Sequence, residues 1–66
     1  MGIRSARKKA GLTQYDIAEK LHVTVAAVST WESGRSKPQA DRLLALAQLC
    51  GCTMEELMQE DTDGKG

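Results

Sequence analysis

The segment spanning residues 14–33 constrains the fold of this chain more than any other part of the sequence. It reads QYDIAEKLHVTVAAVSTWES. Its apolar residues form two stripes at helical spacing, Ile17, Ala18 and Leu21 in the first half and Val28 and Trp31 in the second. The residues between the stripes, 22–24, are too few for anything but a tight turn. The pattern therefore predicts two short helices joined at a steep angle.

Capping residues agree with this division. Thr13 precedes the first helix and Asp16 follows three residues later, which is close to a capping box. Thr24 is a good N-cap for the second helix, and Gly34 can end that helix. Ala18 is small enough to let the two helices cross closely. Any small helical protein shows caps and apolar stripes, but this combination with a short turn favours a helix-turn-helix, whose second helix enters a DNA major groove.

The same residues carry a resemblance to a known family. They are Leu12-Thr13-Gln14, Ile17-Ala18, Leu21, Val23-Thr24, Val28-Ser29, Trp31-Glu32 and Gly34. This series resembles the Cro/repressor type of helix-turn-helix, also called the xenobiotic response element family, and the likeness extends over residues 3–58. It implies a compact all-α domain of five helices that binds DNA, usually as a dimer on a palindromic site. The family usually has glycine, in a left-handed conformation, where this chain has His22.

Length and charge fit one small domain. The chain has 66 residues and a formal net charge of zero, but residues 1–39 carry seven basic and three acidic side chains, and residues 40–66 carry two basic and six acidic ones. Such a split fits a DNA-binding face opposite an acidic face, although ordinary solvated charge is the alternative. Neither a long apolar run nor a secretory signal is apparent, so no membrane is expected and the cytoplasm is the expected location.

The remaining helices follow from the same signals. Helix 1 is expected from Ile3 to Ala10, helix 4 from Ala40 to Cys50, and helix 5 after the capping box that begins at Thr53. We therefore expect a helix-turn-helix domain over residues 1–58. Residues 59–66 are acidic and contain no apolar side chain, so that tail is expected to be disordered.

No constellation of residues indicates catalysis. Cys50 and Cys52 have neither the spacing of a redox pair nor enough partners for a zinc site within the chain. The resemblance implies apolar core positions for both, where they would pack as small apolar residues, and the alternatives are redox sensing or a zinc site shared between chains. His22 is expected to be an exposed turn residue. The chain is not expected to be an enzyme or to bind a metal, a cofactor or a small-molecule ligand.

The second helix of the motif supplies the candidate base-reading residues. With Val28 facing inward and about 100° per residue, the outward side chains include none of the Arg, Gln or Asn residues that read bases bidentately. Contact must then come from thymine methyls and hydroxyl groups, with DNA shape adding discrimination. The candidates for base reading are Val25, Ala26, Ser29 and Thr30.

Other candidates would contact phosphates or hold the fold together. The resemblance implies a phosphate contact for Gln14 and an ion pair between Arg7 of helix 1 and Glu32 of helix 3. Thr24, Ser33, Arg35 and Lys37 flank the reading helix and complete the phosphate set. Arg4, Lys8 and Lys9 of helix 1 are either DNA contacts or merely solvated.

The sequence thus predicts a transcriptional regulator, a repressor-like homodimer that occupies palindromic double-stranded DNA. One alternative is the antitoxin or autoregulator of a toxin pair, which would also bind a protein. Another is a protein-interaction module that has lost DNA binding, which the plain reading helix leaves open. Leu49 and Met58 are the candidate dimer contacts, unless both side chains fold back onto the core.

Overall fold

The computed structural model describes residues 2–59, which form five α-helices and no strand. The helices are α1 (Ile3–Lys9), α2 (Gln14–Leu21), α3 (Val25–Ser33), α4 (Ala40–Cys50) and α5 (Met54–Met58). The predicted all-α class is confirmed, and α1 ends one residue earlier than expected. The acidic tail predicted at residues 59–66 lies outside the described residues except for Gln59.

Two capping boxes determine where α2 and α5 begin. Thr13 Oγ1 accepts from the Asp16 backbone N–H at 3.0 Å, and Asp16 Oδ2 accepts from the Thr13 backbone N–H at 2.8 Å. Thr53 and Glu56 repeat the arrangement at 3.1 and 2.9 Å. The hydrogen bond from the backbone of Thr13 lowers the pKa of Asp16, because it favours the charged carboxylate. Both boxes use residues that the sequence identified.

The first four helices end in one shared way. After α2, α3 and α4 the first residue past the helix has a positive φ, and after α1 the second residue, Gly11, does. In all four cases the next residue donates its backbone N–H to a carbonyl five positions back, as in a Schellman motif. Glycine occupies the positive-φ position at the ends of α1, α3 and α4, and His22 occupies it at the end of α2 with φ 59°. A Cβ atom is unfavourable in this region, so His22 carries a local cost that the glycines avoid.

The core lies where the helices of the motif meet α4. Helices α2 and α3 pack on each other, and α4 packs against α1, α2 and α5. Ile17 of α2, Val28 of α3 and Leu46 of α4 are each 0% exposed. Trp31 packs against this core from its rim, as its spacing from Val28 predicted. The core therefore fixes the position of α3, the helix that the sequence assigned to DNA.

The surface corrects one expectation about apolar side chains. Leu49 does not project freely, because it is half-buried and packs against the core. Met58 is 68% exposed, and Leu44, which the sequence analysis did not single out, is 47% exposed. Sequence periodicity did not predict that Leu49 is half-buried and Leu44 exposed, because it does not show which side of α4 its neighbours cover. Within the described residues, no helix has the length and apolar character needed to span a membrane.

We expect His22→Gly to raise the free energy of unfolding by about 0.5–1 kcal/mol, because it removes the Cβ penalty at the end of α2. The gain is partly offset by the greater freedom of glycine in the unfolded chain. Urea denaturation followed by the fluorescence of the single tryptophan, Trp31, measures it. The matched control is Gly51→His, which introduces the same residue at the equivalent position of α4 and should destabilise the fold. An unchanged or lower stability for His22→Gly would contradict this account.

Candidate nucleic-acid interface

The outward surface of α3 is small and weakly polar. Ala26, Ser29 and Ser33 are exposed and Thr30 is half-exposed, which agrees with the orientation predicted from Val28. Val25 is different, because it is half-buried and packs against the core instead of standing at an exposed edge. As the first residue of α3, it lies where the helix leaves the turn, and the core takes up part of its side chain. Val25 therefore offers less surface to a ligand than the sequence suggested.

The hydroxyl groups of α3 differ in the hydrogen bonds that they can still make to a ligand. Thr30 Oγ1 donates to the Ala26 carbonyl at 2.8 Å, and Ser33 Oγ donates to the Thr30 carbonyl at 2.9 Å. In these rotamers both present lone pairs outward and act as acceptors. The Ser29 hydroxyl has no partner among the described residues and can either donate or accept. The surface can thus accept from donors on base edges at Thr30 and Ser33, and at Ser29 it can either donate to or accept from a base edge.

Thr24 both caps α3 and offers a hydroxyl proton for a phosphate contact. Its Oγ1 accepts from the Ala27 backbone N–H at 3.1 Å and so caps α3. The hydroxyl proton is not used in that bond, so it can be donated to an anion. The first turn of α3 contains no acidic residue that would repel one.

The segment after α3 presents two cations. Gly34 ends the helix with φ 84°, and the Arg35 backbone N–H donates to the Thr30 carbonyl at 3.2 Å. At the corresponding positions after α1, α2 and α4 the chain has Leu12, Val23 and Cys52, each packed against the core. Arg35 is exposed instead, as is Lys37, and neither side chain has a bond to another described residue. The backbone of Arg35 is therefore fixed while its charge remains available.

An ion pair joins α1 to α3. Arg7 Nε donates to Glu32 Oε2 at 2.6 Å, and Arg7 Nη2 reaches Glu32 Oε1 at 3.4 Å. The side chains are 15% and 6% exposed, so the bond is largely shielded from water. Arg7 Nη1 also donates to the Leu12 carbonyl at 2.9 Å, which ties the same guanidinium to the loop before α2. Removing either partner would leave a shielded charge unpaired.

The network has a third member, which no sequence pattern indicated. Gln14 Nε2, at the first position of α2, donates to Glu32 Oε1 at 2.9 Å. Gln14 and Glu32 are 18 positions apart in the chain, so helical spacing could not reveal the contact. The bond connects the phosphate candidate of α2 directly with the ion pair of α3.

Three further titratable groups, Glu56, Cys50 and Cys52, belong to α4, α5 and the turn between them. The hydrogen bond from the Thr53 backbone lowers the pKa of Glu56, and the positive charge of Lys9 adds a smaller effect in the same direction, so Lys9 acts on the start of α5. Burial raises the pKa of Cys50 and of Cys52, so both favour the thiol form. Within residues 2–59 no cluster of His, Cys, Asp or Glu side chains could hold a metal ion.

Comparisons with known proteins agree with this geometry. A family model described as helix-turn-helix matches residues 3–57. Among curated proteins, the transcriptional activator BcrR of Enterococcus faecalis is 34% identical over 56 residues, which cover 85% of this chain and 28% of that protein. The repressor protein of a Salmonella phage is 32% identical over 59 residues, covering 89% of this chain and 27% of the repressor.

A third relative is the transcriptional regulator ImmR of Bacillus subtilis, 35% identical over 63 residues, which cover 96% of this chain and 50% of ImmR. The chain thus spans half or less of the length of these curated relatives. No solved structure matches the chain significantly.

We expect Arg7→Met and Glu32→Leu each to lower the free energy of unfolding by about 3 kcal/mol, because each strands the other charge in a shielded site. The double variant should lose clearly less than the sum of the two, since an apolar pair leaves no charge unpaired. Urea denaturation of the four proteins measures both quantities. Additive losses in the double variant would show that the pair does not act as a unit.

Proposed function

The chain belongs to the Cro/repressor type of helix-turn-helix proteins, and we propose that it is a sequence-specific regulator of transcription that acts by occupying double-stranded DNA. One observation carries the proposal: the exposed face of α3 is bordered by Arg35 and Lys37, two cations without protein partners among the described residues. A helix flanked by free positive charge suits a groove between two phosphate chains. The cytoplasm, expected from the sequence, is where such a regulator would meet its DNA.

Base reading is assigned to the exposed side chains of α3. Ala26 and the methyl group of Thr30 can contact thymine methyls, and the hydroxyls of Ser29 and Thr30 can bond base edges. Val25 remains a candidate only through the part of its side chain that the core leaves uncovered. Because this surface has no bidentate reader, we propose that DNA shape and deformability supply much of the discrimination.

Phosphate binding is assigned to groups around the reading helix. Gln14 is the first residue of α2 and Thr24 is the N-cap of α3, and the three other candidates lie at or just after the end of α3. Those three are Ser33, Arg35 and Lys37, and Ser33 must release its hydrogen bond to the Thr30 carbonyl before its hydroxyl can donate to a phosphate. Lys9 is not included, because it lies towards Glu56.

The direction of regulation is left to the position of the DNA site. The relatives include one protein named as an activator and another named as a repressor. Occupancy alone can produce either result, by blocking polymerase or by assisting it. The family is one of DNA-binding regulators, which supports the expectation that the chain is not an enzyme.

We further propose that two copies bind one palindromic site. A single reading helix covers one half-site, and two such helices must lie about 34 Å apart to reach successive turns of the groove. Met58 borders an open groove of about 810 Å³, whose apolar lining includes Ile3, Trp31 and Leu57. This groove also reaches Gly34 and Lys37, and Lys37 is itself one of the proposed phosphate contacts. A second copy seated there would cover apolar surface close to the DNA.

DNA binding should weaken steeply as salt rises, because bound cations displace counterions from the phosphates. Arg35→Ala and Lys37→Ala should each reduce the slope of the logarithm of the DNA-binding constant against the logarithm of the salt concentration by about one unit. Fluorescence anisotropy with a duplex selected from a random pool measures the slopes. Lys9→Ala is the matched control, since it removes the same charge from a position near Glu56. Salt-independent binding, or equal slopes in all variants, would contradict the assignment.

Sedimentation should show two protomers on a duplex that carries two half-sites, whether or not the free protein dimerises. Met58→Glu should weaken this pairing, because it places a charge beside the apolar groove. Leu44→Glu is the matched control, as Leu44 is exposed but does not line the groove. One protomer per palindromic duplex at saturation would refute the dimer. Equal pairing in the two variants would refute this interface only.

A further inference from the structure

We propose that Glu32, anchored by Arg7, is a positioning residue that fixes the orientation of the Gln14 side-chain amide for its phosphate contact. The inference rests on the proposed DNA-binding function and concerns a residue that would not itself touch DNA. Its basis is the hydrogen bond from Gln14 Nε2 to Glu32 Oε1 at 2.9 Å.

The chemistry of the three groups defines the orientation. A glutamine amide has two N–H donors on one side and a carbonyl acceptor on the other, whereas carboxylates and phosphates at neutral pH accept only. A freely rotating Gln14 would offer a phosphate its carbonyl oxygen part of the time, and that contact is repulsive. Glu32 can bind only the NH₂ end of the amide. One N–H of Gln14 is thus held by Glu32, and the other remains on the same nitrogen for an anion.

Arg7 makes this arrangement compatible with a nearby phosphate. An unneutralised carboxylate one amide away would repel the DNA backbone, and the Glu32 side chain is only 6% exposed, so water screens its charge little. The guanidinium of Arg7 at 2.6 Å supplies the opposite charge.

The same guanidinium also holds the chain that leads to Gln14. It donates to the Leu12 carbonyl at 2.9 Å, two residues before Gln14. Arg7 therefore fixes both the acceptor of the amide and the backbone that carries the amide. Neither role requires Arg7 or Glu32 to reach the DNA.

A double-mutant cycle on DNA affinity tests the coupling. The four proteins are the wild type, Gln14→Ala, Glu32→Gln and the double variant, measured by fluorescence anisotropy on the duplex that the wild type selects from a random pool. Gln14→Ala should weaken binding about tenfold in the wild-type background, as expected for a bond to a charged group. In the Glu32→Gln background it should weaken binding less than about threefold, because a neutral amide at position 32 no longer dictates one orientation. Equal losses in both backgrounds would overturn the proposal.

The cycle removes two trivial explanations. Any general effect of Glu32→Gln on charge or stability appears in both of its arms and cancels. The control cycle replaces Gln14→Ala with Arg35→Ala, whose loss should be equal in both backgrounds. Coupling of the same size for Arg35 would show a nonspecific electrostatic effect and would overturn the positioning role.

A second measurement needs no variant and applies even if Glu32→Gln does not fold. In the DNA-free protein, ¹⁵N relaxation of side-chain amides should give Gln14 a markedly higher order parameter than Gln48, which is exposed on α4. Equal mobility of the two amides would overturn the proposal. If the wild type selects no DNA at all, the proposed function fails. If it binds DNA but Gln14 is mobile or uncoupled, only this inference fails.

Discussion

The carboxylate of Glu32 is the contact on which the arrangement of the motif depends. Its two oxygens accept from the guanidinium of Arg7 on α1 and from the amide of Gln14 on α2. Glu32 belongs to the last turn of α3, so through these bonds its side chain joins the reading helix to the two helices before it. Most of the stability still comes from the apolar core. The polar network adds what apolar packing lacks, a direction that fixes how α3 stands relative to α2.

The helix boundaries could be read from the sequence because they are decided locally. Thr13, Thr24 and Thr53 cap the helices they precede, and glycines end most of the helices at positive φ. The sequence could not show which residues of other helices contact a given side chain. Val25 and Leu49 are half-buried because they pack against the core, and the periodicity of one helix does not report such a contact. The bond between Gln14 and Glu32 escaped prediction for the same reason.

The proposed interface places its charge outside its reading surface. Along α3 the exposed positions are small, and the free cations follow in the segment after Gly34. Phosphate contacts of this kind set register and affinity but carry no sequence information directly. Discrimination would then rest on methyl and hydroxyl contacts from Ala26, Ser29 and Thr30. Such a protein should tolerate more sequence variation than one that reads guanine or adenine bidentately.

The most direct test is selection of DNA from a random pool by the wild type and by Ser29→Ala and Thr30→Ala. If α3 reads bases, the wild type should yield a consensus, and each variant should change preference at one or two base pairs by about 1–3 kcal/mol per pair. Positions outside those pairs should keep their preference. An identical consensus from all three proteins would show that another element, or DNA shape alone, provides specificity. Failure of the wild type to enrich any sequence would contradict the proposed function itself.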